Sequence, residues 1–241
     1  MINTPKSNAI TPGATKTMPL STLPSVLKTL VFDLDGTLVD SSPGIATSLA
    51  MAFQAVGRVM PTTDFRKAIG PPLRGIARRV EPTITDAELD IIEPLYRADY
   101  DSRGWRDTVI FEGVVQTLTD LKAHGIRLFI VTNKPVLPTH QILEQFSLQH
   151  FFMEVLSRDS RSPAFNSKAE MLADLIERYK LSADSTLMVG DTIEDLETAH
   201  TNHVPFLYVT YGFGTVESPH SIDRFPALAT LLKSRLPIQG K

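Results

Sequence analysis

The segment from Leu27 to Leu34 most constrains the fold, because it is a short apolar run that ends at acidic residues. It reads Leu-Lys-Thr-Leu-Val-Phe-Asp-Leu and is followed by Asp35-Gly36-Thr37. An apolar, β-prone run of this length, closed by a glycine turn, predicts a buried strand. Asp33 then lies at the carboxyl end of this strand, and Asp35 lies in the turn that follows.

The rest of the chain shows two different patterns. Residues 41–108 place apolar residues at helical spacing only, and one helix is opened by a capping box that begins at Thr85. Beyond residue 108, helices and strands alternate, which predicts parallel strands joined by right-handed crossovers. We therefore predict an α/β fold: a doubly wound parallel sheet from residues 26–40 and 109–241, with a helical cap inserted at residues 41–108.

Composition limits the expected partners and location. The formal net charge of −3 over 241 residues gives no electrostatic footprint for nucleic acid. No apolar run approaches the length that spans a bilayer, so we expect no membrane partner. The chain contains no cysteine, which fits a reducing compartment, and we expect a cytoplasmic protein. Residues 1–25, rich in Thr, Ser and Pro, predict a flexible tail in which Met18 is an alternative start to Met1.

Polar side chains follow the predicted strands or begin a helix, and in the sheet they converge at one edge. They are Asp33, Asp35, Gly36 and Thr37, then Thr132, Asn133 and Lys134, then Lys168, and finally Asp191 and Asp195. Several carboxylates brought together in this way repel one another and lose hydration, so a cation is required there. Hard oxygen ligands beside an incoming phosphate favour Mg²⁺.

These motifs, in this order and with this cap spacing, resemble the signature of the haloacid dehalogenase-like hydrolase superfamily. The resemblance covers nearly the whole chain after residue 26. It implies a Mg²⁺-dependent phosphatase that hydrolyses a small phosphomonoester, similar to phosphoglycolate phosphatases. It also implies that Asp33 is the nucleophile that forms an aspartyl-phosphate, and that Asp35 is the general acid and base.

The same resemblance implies which residues hold the metal and the phosphate. Mg²⁺ would be bound by the side chains of Asp33 and Asp191 and by the backbone carbonyl of Asp35, with Asp195 in support. The phosphoryl group and the adjoining substrate would be held by Thr132, Lys168, Gly36, Thr37 and Asn133.

One lysine departs from the commoner pattern. Ser167-x-x-Glu170 is a capping box that places Lys168 at the first helical position, where a cation opposes the helix dipole. Lys168 is followed by alanine, whereas the commoner pattern of the superfamily has proline there. Lys134 is therefore the alternative phosphate-binding lysine.

The cap carries one candidate substrate residue. The segment Ile69-Gly70-Pro71-Pro72-Leu73-Arg74 resembles the substrate loop of phosphoglycolate phosphatases. Arg74 could make a bidentate contact with a substrate carboxylate or a second phosphate. The alternative is an arginine at a helix start that faces water.

The residues leave several functions open. Within the superfamily, 5′-nucleotidase, pyrophosphatase and phosphosugar mutase are alternatives to a phosphoglycolate phosphatase-like enzyme. A catalytically idle protein that binds a phosphorylated ligand belongs to a different class, and the intact pair of Asp33 and Asp35 argues against it. The expected partner is a small phosphorylated metabolite, and the expected assembly is a monomer or a homodimer.

Overall fold

A computed structural model describes residues 23–61 and 65–236. Nearly all of the predicted flexible tail, and both candidate start positions, lie outside the described residues. The described residues include strands β1 (Thr29–Phe32), β2 (Val39–Asp40), β3 (Val109–Ile110), β4 (Arg127–Thr132), β5 (Glu154–Ser157), β6 (Thr186–Gly190), β7 (Phe206–Val209) and β8 (Ser221–Ile222). The helices are α1 (Ser42–Gln54), α2 (Leu73–Val80), α3 (Asp86–Ser102), α4 (Val114–Ala123), α5 (Val136–Gln145), α6 (Lys168–Tyr179), α7 (Ile193–Thr201) and α8 (Ala227–Leu232).

Six of the strands form one sheet in the order β5-β4-β1-β6-β7-β8, and every neighbouring pair is parallel. Strand β1 pairs with β4 on one side and with β6 on the other. The chain therefore builds the sheet outward from β1 in both directions, which confirms the predicted doubly wound α/β fold. None of the helices in the described ranges is both long and apolar enough to cross a membrane.

Side chains of β1 pack on both faces of the sheet, which explains its unbroken apolar sequence. Leu30 and Phe32 lie in the apolar cluster that contains α4, α5 and α8. Val31, which points to the opposite face, lies in the cluster that contains α6 and α7. A parallel sheet covered by helices on both faces requires such a continuous run instead of an alternating one.

The helices α1, α2 and α3 share a third apolar cluster above the sheet. The predicted capping box at the start of α3 is confirmed: Thr85 accepts the backbone N–H of Glu88, and the Glu88 carboxylate accepts the N–H of Thr85 at 2.8 Å. The loop after β7 contributes Phe213 to the same cluster. The division into core and cap stays a prediction, but these helices have an apolar cluster of their own.

The chain enters and leaves this helical segment through a short antiparallel pair, β2 and β3. Two-residue strands carry no periodic signal, and the sequence did not predict them. Helix α1 begins at Ser42, and Ser41 is its N-cap without a side-chain capping bond. The Ser41 hydroxyl is used elsewhere, because it donates to Asp35 at 2.6 Å.

Candidate active site

The predicted polar residues meet at the carboxyl edge of the sheet. Asp33 follows β1, Thr132 ends β4, and Asp191 follows β6 directly. Since β1 lies between β4 and β6, these three strand ends are adjacent, at the position where open α/β sheets bind their ligands. A cavity of about 210 Å³ opens above them, and its sheet side is formed by Asp33, Asp35, Thr132, Asn133, Lys134 and Lys168.

Lys168 joins two carboxylates at the bottom of this cavity. Its Nζ donates to Asp33 Oδ1 at 2.6 Å and to Asp195 Oδ1 at 2.6 Å, and all three side chains are buried. Burial by itself would lower the pKa of Lys168, but Asp195 and Asp33 raise it on balance, so the lysine carries its charge. The second oxygen of Asp33 accepts no hydrogen bond from any described residue.

Three buried carboxylates surround this lysine. One oxygen each from Asp33, Asp191 and Asp195 lies within 4.8 Å of the others. Burial raises the pKa of Asp33 well above its ordinary value, and burial together with Asp195 raises the pKa of Asp191 to about 7. One lysine cannot neutralise three carboxylates at this distance. The donor set is therefore suited to a divalent cation that prefers oxygen ligands.

Asp195 is already engaged by hydrogen bonds at both oxygens. Oδ2 accepts the backbone N–H of Thr192 at 3.0 Å, the Thr192 hydroxyl at 2.7 Å and the N–H of Asp191 at 3.2 Å, while Oδ1 accepts Lys168. Thr192 and Asp195 form the capping box of α7. Asp195 was predicted to support the metal site, and its hydrogen bonds hold Lys168 and the backbone of Asp191 and Thr192 in place.

Gly36 and Thr37 lie against Asp191, and their contact with substrate stays a prediction. Thr37 Oγ1 donates to Asp191 Oδ1 at 3.2 Å, and Phe213 N donates to Asp191 Oδ2 at 2.7 Å. Gly36 has φ +86°, and a Cβ added there would overlap the Asp191 carboxylate. Neither residue is among those that line the cavity. Their role in the structure is to let the turn after β1 approach Asp191 closely.

Asp35 is held from two sides at the cavity wall. Ser41 Oγ donates to its Oδ1 at 2.6 Å, and Lys134 Nζ reaches its two oxygens at 2.9 and 3.1 Å. Burial would lower the pKa of Lys134, but Asp35 raises it on balance. The two candidate phosphate-binding lysines therefore pair with different aspartates: Lys168 contacts Asp33, and Lys134 contacts Asp35.

Thr132 and Asn133 follow β4 at the same edge, as predicted. Thr132 is buried, and its hydroxyl accepts the backbone N–H of Lys134 at 3.2 Å. Asn133 Nδ2 donates to Glu194 at 2.8 Å and to the carbonyl of Gly70 at 3.3 Å. Asn133 therefore connects the core to the loop before α2. Its side-chain oxygen is buried without a partner among the described residues.

Arg74 is not among the residues that line the cavity, and its role as a substrate residue stays a prediction. Its guanidinium donates to Glu93 at 2.8 Å and to Asp90 at 2.6 Å, both on the outer surface of α3. The arginines that do line the cavity are Arg97 on α3 and Arg158 after β5. Arg158 directly follows strand β5, and this position at a strand end could have identified it from the sequence as a candidate site residue.

Only one of the two hydrogen bonds of the predicted capping box at the start of α6 is present among the described residues. Ser167 Oγ accepts the backbone N–H of Glu170 at 3.1 Å, and Lys168 is the first helical residue, as predicted. The Glu170 carboxylate instead accepts the N–H of Asn166 at 2.8 Å. The helix start that carries Lys168 is thus held by its own N-cap.

Comparison with known proteins identifies the family to which this arrangement belongs. The family model for haloacid dehalogenase-like hydrolases matches residues 30–209. The phosphoglycolate phosphatase of Photobacterium profundum is 31% identical over 224 residues, which cover 86% of this chain and 96% of that protein. A solved structure of a predicted phosphoglycolate phosphatase from Haemophilus somnus superposes with a TM-score of 0.76 at 25% identity, over 85% of this chain and 97% of that one.

A relative with a different activity in its name is equally similar. The tyrosine-protein kinase PtkA of Mycobacterium tuberculosis is 33% identical over 189 residues, which cover 78% of this chain. The match spans only 64% of the length of PtkA. Since the family model covers most of the chain and its motifs supply the residues around the cavity, the chain belongs to the haloacid dehalogenase-like hydrolases.

Proposed function

We propose that the chain is a Mg²⁺-dependent phosphatase that hydrolyses a small phosphomonoester through an aspartyl-phosphate on Asp33. The observation that supports this most directly is that the two oxygens of the Asp33 carboxylate have different surroundings. One oxygen is held by Lys168 at 2.6 Å, and the other, beside the cavity, accepts no hydrogen bond from the part of the chain that the structure describes. Asp35 lines the same cavity, within reach of a leaving group.

In the first step the free oxygen of Asp33 attacks phosphorus, and the bond from phosphorus to the leaving oxygen breaks. Asp35 donates a proton to that oxygen, so an alcohol departs. In the second step water attacks phosphorus, Asp35 accepts the proton of the water, and the bond to Asp33 breaks to release inorganic phosphate. A covalent carboxylate route of this kind divides hydrolysis into two easier steps.

The side chains of Asp33 and Asp191 and the backbone carbonyl of Asp35 would hold Mg²⁺. When bound, the ion supplies the positive charge that balances these carboxylates and the transferring phosphoryl group. Lys168 adds a fixed charge beside Asp33, and Thr132 offers its hydroxyl at the same edge. The chain thus provides positioning and charge, which are the main requirements of phosphoryl transfer.

The cavity size supports a small substrate. At about 210 Å³ it is below the roughly 300–1,000 Å³ typical of pockets for drug-sized ligands, which favours a short metabolite over a nucleotide. Phosphoglycolate phosphatases are among the relatives at about 30% identity. We therefore propose 2-phosphoglycolate, or a phosphoester of similar size, as the substrate, with no nucleic acid or membrane involved.

A second candidate is transfer of the phosphoryl group to a tyrosine hydroxyl, which the similarity to PtkA favours. In that reaction the acceptor oxygen replaces water in the second step, and the chemistry at Asp33 is unchanged. Incubation with labelled ATP and tyrosine-containing proteins separates the two functions. Label on tyrosine supports the kinase, whereas hydrolysis of 2-phosphoglycolate without labelling of tyrosine supports the phosphatase.

The test of the proposed function is turnover of p-nitrophenyl phosphate with and without Mg²⁺. We expect Asp33→Asn to reduce kcat by at least about 10³-fold, because the amide is not a nucleophile. The matched control is Asp184→Asn, which alters an exposed aspartate away from the cavity. Full activity in Asp33→Asn would refute the nucleophile. If 2-phosphoglycolate, nucleoside monophosphates and pyrophosphate are also not hydrolysed, a phosphate-binding protein without activity is the better description.

A further inference from the structure

Four cationic side chains line the cavity, and their pairing divides them into two groups. Lys168 and Lys134 are paired with the aspartates of the sheet edge. Arg97 and Arg158 form no ion pair within 4.0 Å with any residue in the described ranges. Both are half-buried and both line the cavity. Two guanidinium groups thus remain available to a ligand after the catalytic aspartates are accounted for.

Among the described arginines of the helical segment without an ion pair, Arg97 lines the cavity, whereas Arg79 is exposed and outside it. Arg58 and Arg74 pair with glutamates, and Arg103 pairs with Asp99. Arg97 interacts electrostatically with Asp101, one helical turn away, but forms no ion pair with it. The residue is held on the cavity wall by its helix, because the adjacent Tyr96 belongs to the buried face of α3.

Arg158 lines the same cavity from the end of a strand of the sheet. It directly follows β5, and the only hydrogen bond of its guanidinium to a described residue runs from one terminal nitrogen to the carbonyl of Asn166 at 3.3 Å. Its remaining donors are unused. The strand end fixes its backbone, while Arg97 lies on the helical segment, so a ligand bound by both would connect the sheet to the helices above it.

The charges around these arginines favour a ligand group with a single negative charge. Asp101 and Asp159 line the same part of the cavity, so the four groups have a net charge of zero. A second phosphate dianion would meet strong repulsion from these aspartates. A carboxylate brings less charge, and its two oxygens match the planar fork of a guanidinium.

We propose that Arg97 and Arg158 bind a carboxylate on the leaving half of the substrate and thereby determine specificity. This inference rests on the proposed phosphatase function and assigns to Arg97 and Arg158 the role that the sequence predicted for Arg74. With the phosphoryl group at Asp33, the small cavity leaves room for only a short spacer between the two anionic groups. Arg97 and Arg158 are specificity residues, since in the described part of the chain Asp33 and Asp35 are paired with Lys168 and Lys134 and not with these arginines.

The experiment compares 2-phosphoglycolate with ethyl phosphate, which has no carboxylate. Arg97→Met and Arg158→Met should each raise KM for 2-phosphoglycolate by about 10- to 100-fold, the effect of a lost charged hydrogen bond. The KM for ethyl phosphate should change by less than about 2-fold, and kcat for it should be retained. Asp101→Asn removes a nearby negative charge and should lower KM for 2-phosphoglycolate. Arg79→Met, an exposed arginine outside the cavity, is the matched control.

Equal losses with both substrates, unchanged KM in both arginine variants, or a wild-type enzyme that prefers ethyl phosphate would each overturn the inference. Thermal unfolding of every variant identifies misfolding, and Arg97→Lys and Arg158→Gln provide milder replacements if the methionine variants unfold. Calorimetric binding of 2-phosphoglycolate to Asp33→Asn, with and without Arg97→Met, separates binding from turnover. If 2-phosphoglycolate binds only when Arg97 is present but the wild-type protein does not hydrolyse it, the carboxylate site is supported and the phosphatase function is refuted. If 2-phosphoglycolate binds equally well without Arg97, the carboxylate site is refuted.

Discussion

Lys168 Nζ lies 2.6 Å from Asp33 Oδ1, although the two residues are 135 positions apart in the chain. Both side chains are almost fully buried, so neither charge is stable there without the other. The contact also determines which oxygen of Asp33 is free. Removal of either partner therefore affects both the stability of the fold and the reaction proposed for Asp33.

Lys168→Met should abolish phosphatase activity and destabilise the fold. The substitution removes the lysine that pairs with Asp33 and Asp195 beside Asp191, and an unpaired buried charge costs about 3–5 kcal/mol of unfolding free energy. Mg²⁺ should restore part of this loss, because the ion supplies positive charge to the same carboxylates. Chemical denaturation with and without Mg²⁺ measures both effects. The exposed Lys233→Met is the control, and a variant as stable as wild type without metal would contradict the prediction.

Gly36→Ala should disrupt the site more than Gly57→Ala does. Both glycines have positive φ, +86° and +72°, so alanine is strained at either position by about 1–2 kcal/mol. At Gly36 the new methyl group also overlaps the Asp191 carboxylate, whereas nothing lies within 4 Å of the corresponding position at Gly57. We expect Gly36→Ala to lose Mg²⁺ affinity and activity, and Gly57→Ala to lose stability only. Metal titration and denaturation of the two variants give the comparison, and equal Mg²⁺ affinity would refute the explanation.

The metal-free protein should lose stability as pH rises towards about 7. Burial and Asp195 raise the pKa of Asp191 from 3.8 to about 7, so the folded state retains a proton that the unfolded state releases. The stability from this proton is fully present below about pH 4 and is lost as pH rises through 7. Saturating Mg²⁺ should flatten this part of the profile, because the metal favours the ionised carboxylate. Asp191→Asn should flatten it without metal.

Denaturation between pH 5 and 8, in EDTA and in Mg²⁺, measures this dependence. The same linkage predicts that Mg²⁺ binds more tightly at pH 8 than at pH 6, with release of a proton on binding. Calorimetry in two buffers with different ionisation enthalpies counts that proton. A metal-free profile that rises through this range in wild type and in Asp191→Asn alike would show that other groups dominate.

Asn133→Ala should loosen the loop before α2. The Asn133 amide donates to the Gly70 carbonyl and to Glu194, and loss of such bonds costs about 0.5–1.5 kcal/mol each. Hydrogen exchange in peptides that cover residues 65–80 should become several-fold faster, and KM should rise because this loop lines the cavity. Asn202→Ala removes a similar amide that bonds only to Ala169 and Thr198 in the core. If both variants exchange alike in residues 65–80, Asn133 does not restrain the loop.

The fold was predictable because each central strand carries its own signal. The apolar run before Asp33 is buried on both faces, and the alternation of helices and strands predicted beyond residue 108 is present in β4, β5, β6 and β7. The pairs β2–β3 and β7–β8 depend on partners distant in sequence and are too short for a periodic pattern. Such elements form because the chain around them has already folded.

The candidate site was predictable where a residue type and a strand end coincide. Asp33, Thr132 and Asp191 follow adjacent strands, and parallel pairing places them together. Thr37 was assigned to substrate because its neighbours in the sequence are catalytic candidates, but its hydroxyl is used by Asp191. Proximity in sequence does not determine where a side chain points. The orientation of the Thr37 hydroxyl is set by its hydrogen bond to Asp191, 154 positions away.

The sequence by itself determined the parallel sheet and the acidic residues at its carboxyl edge, since these depend on local patterns and on strand order. Only the tertiary structure decided that Lys168 contacts Asp33 while Lys134 contacts Asp35. It also decided that Arg74 pairs on the surface while Arg97 faces the cavity. The physical reason is that a charged side chain selects its partner by distance and burial, and both quantities are set by the packing of helices against the sheet.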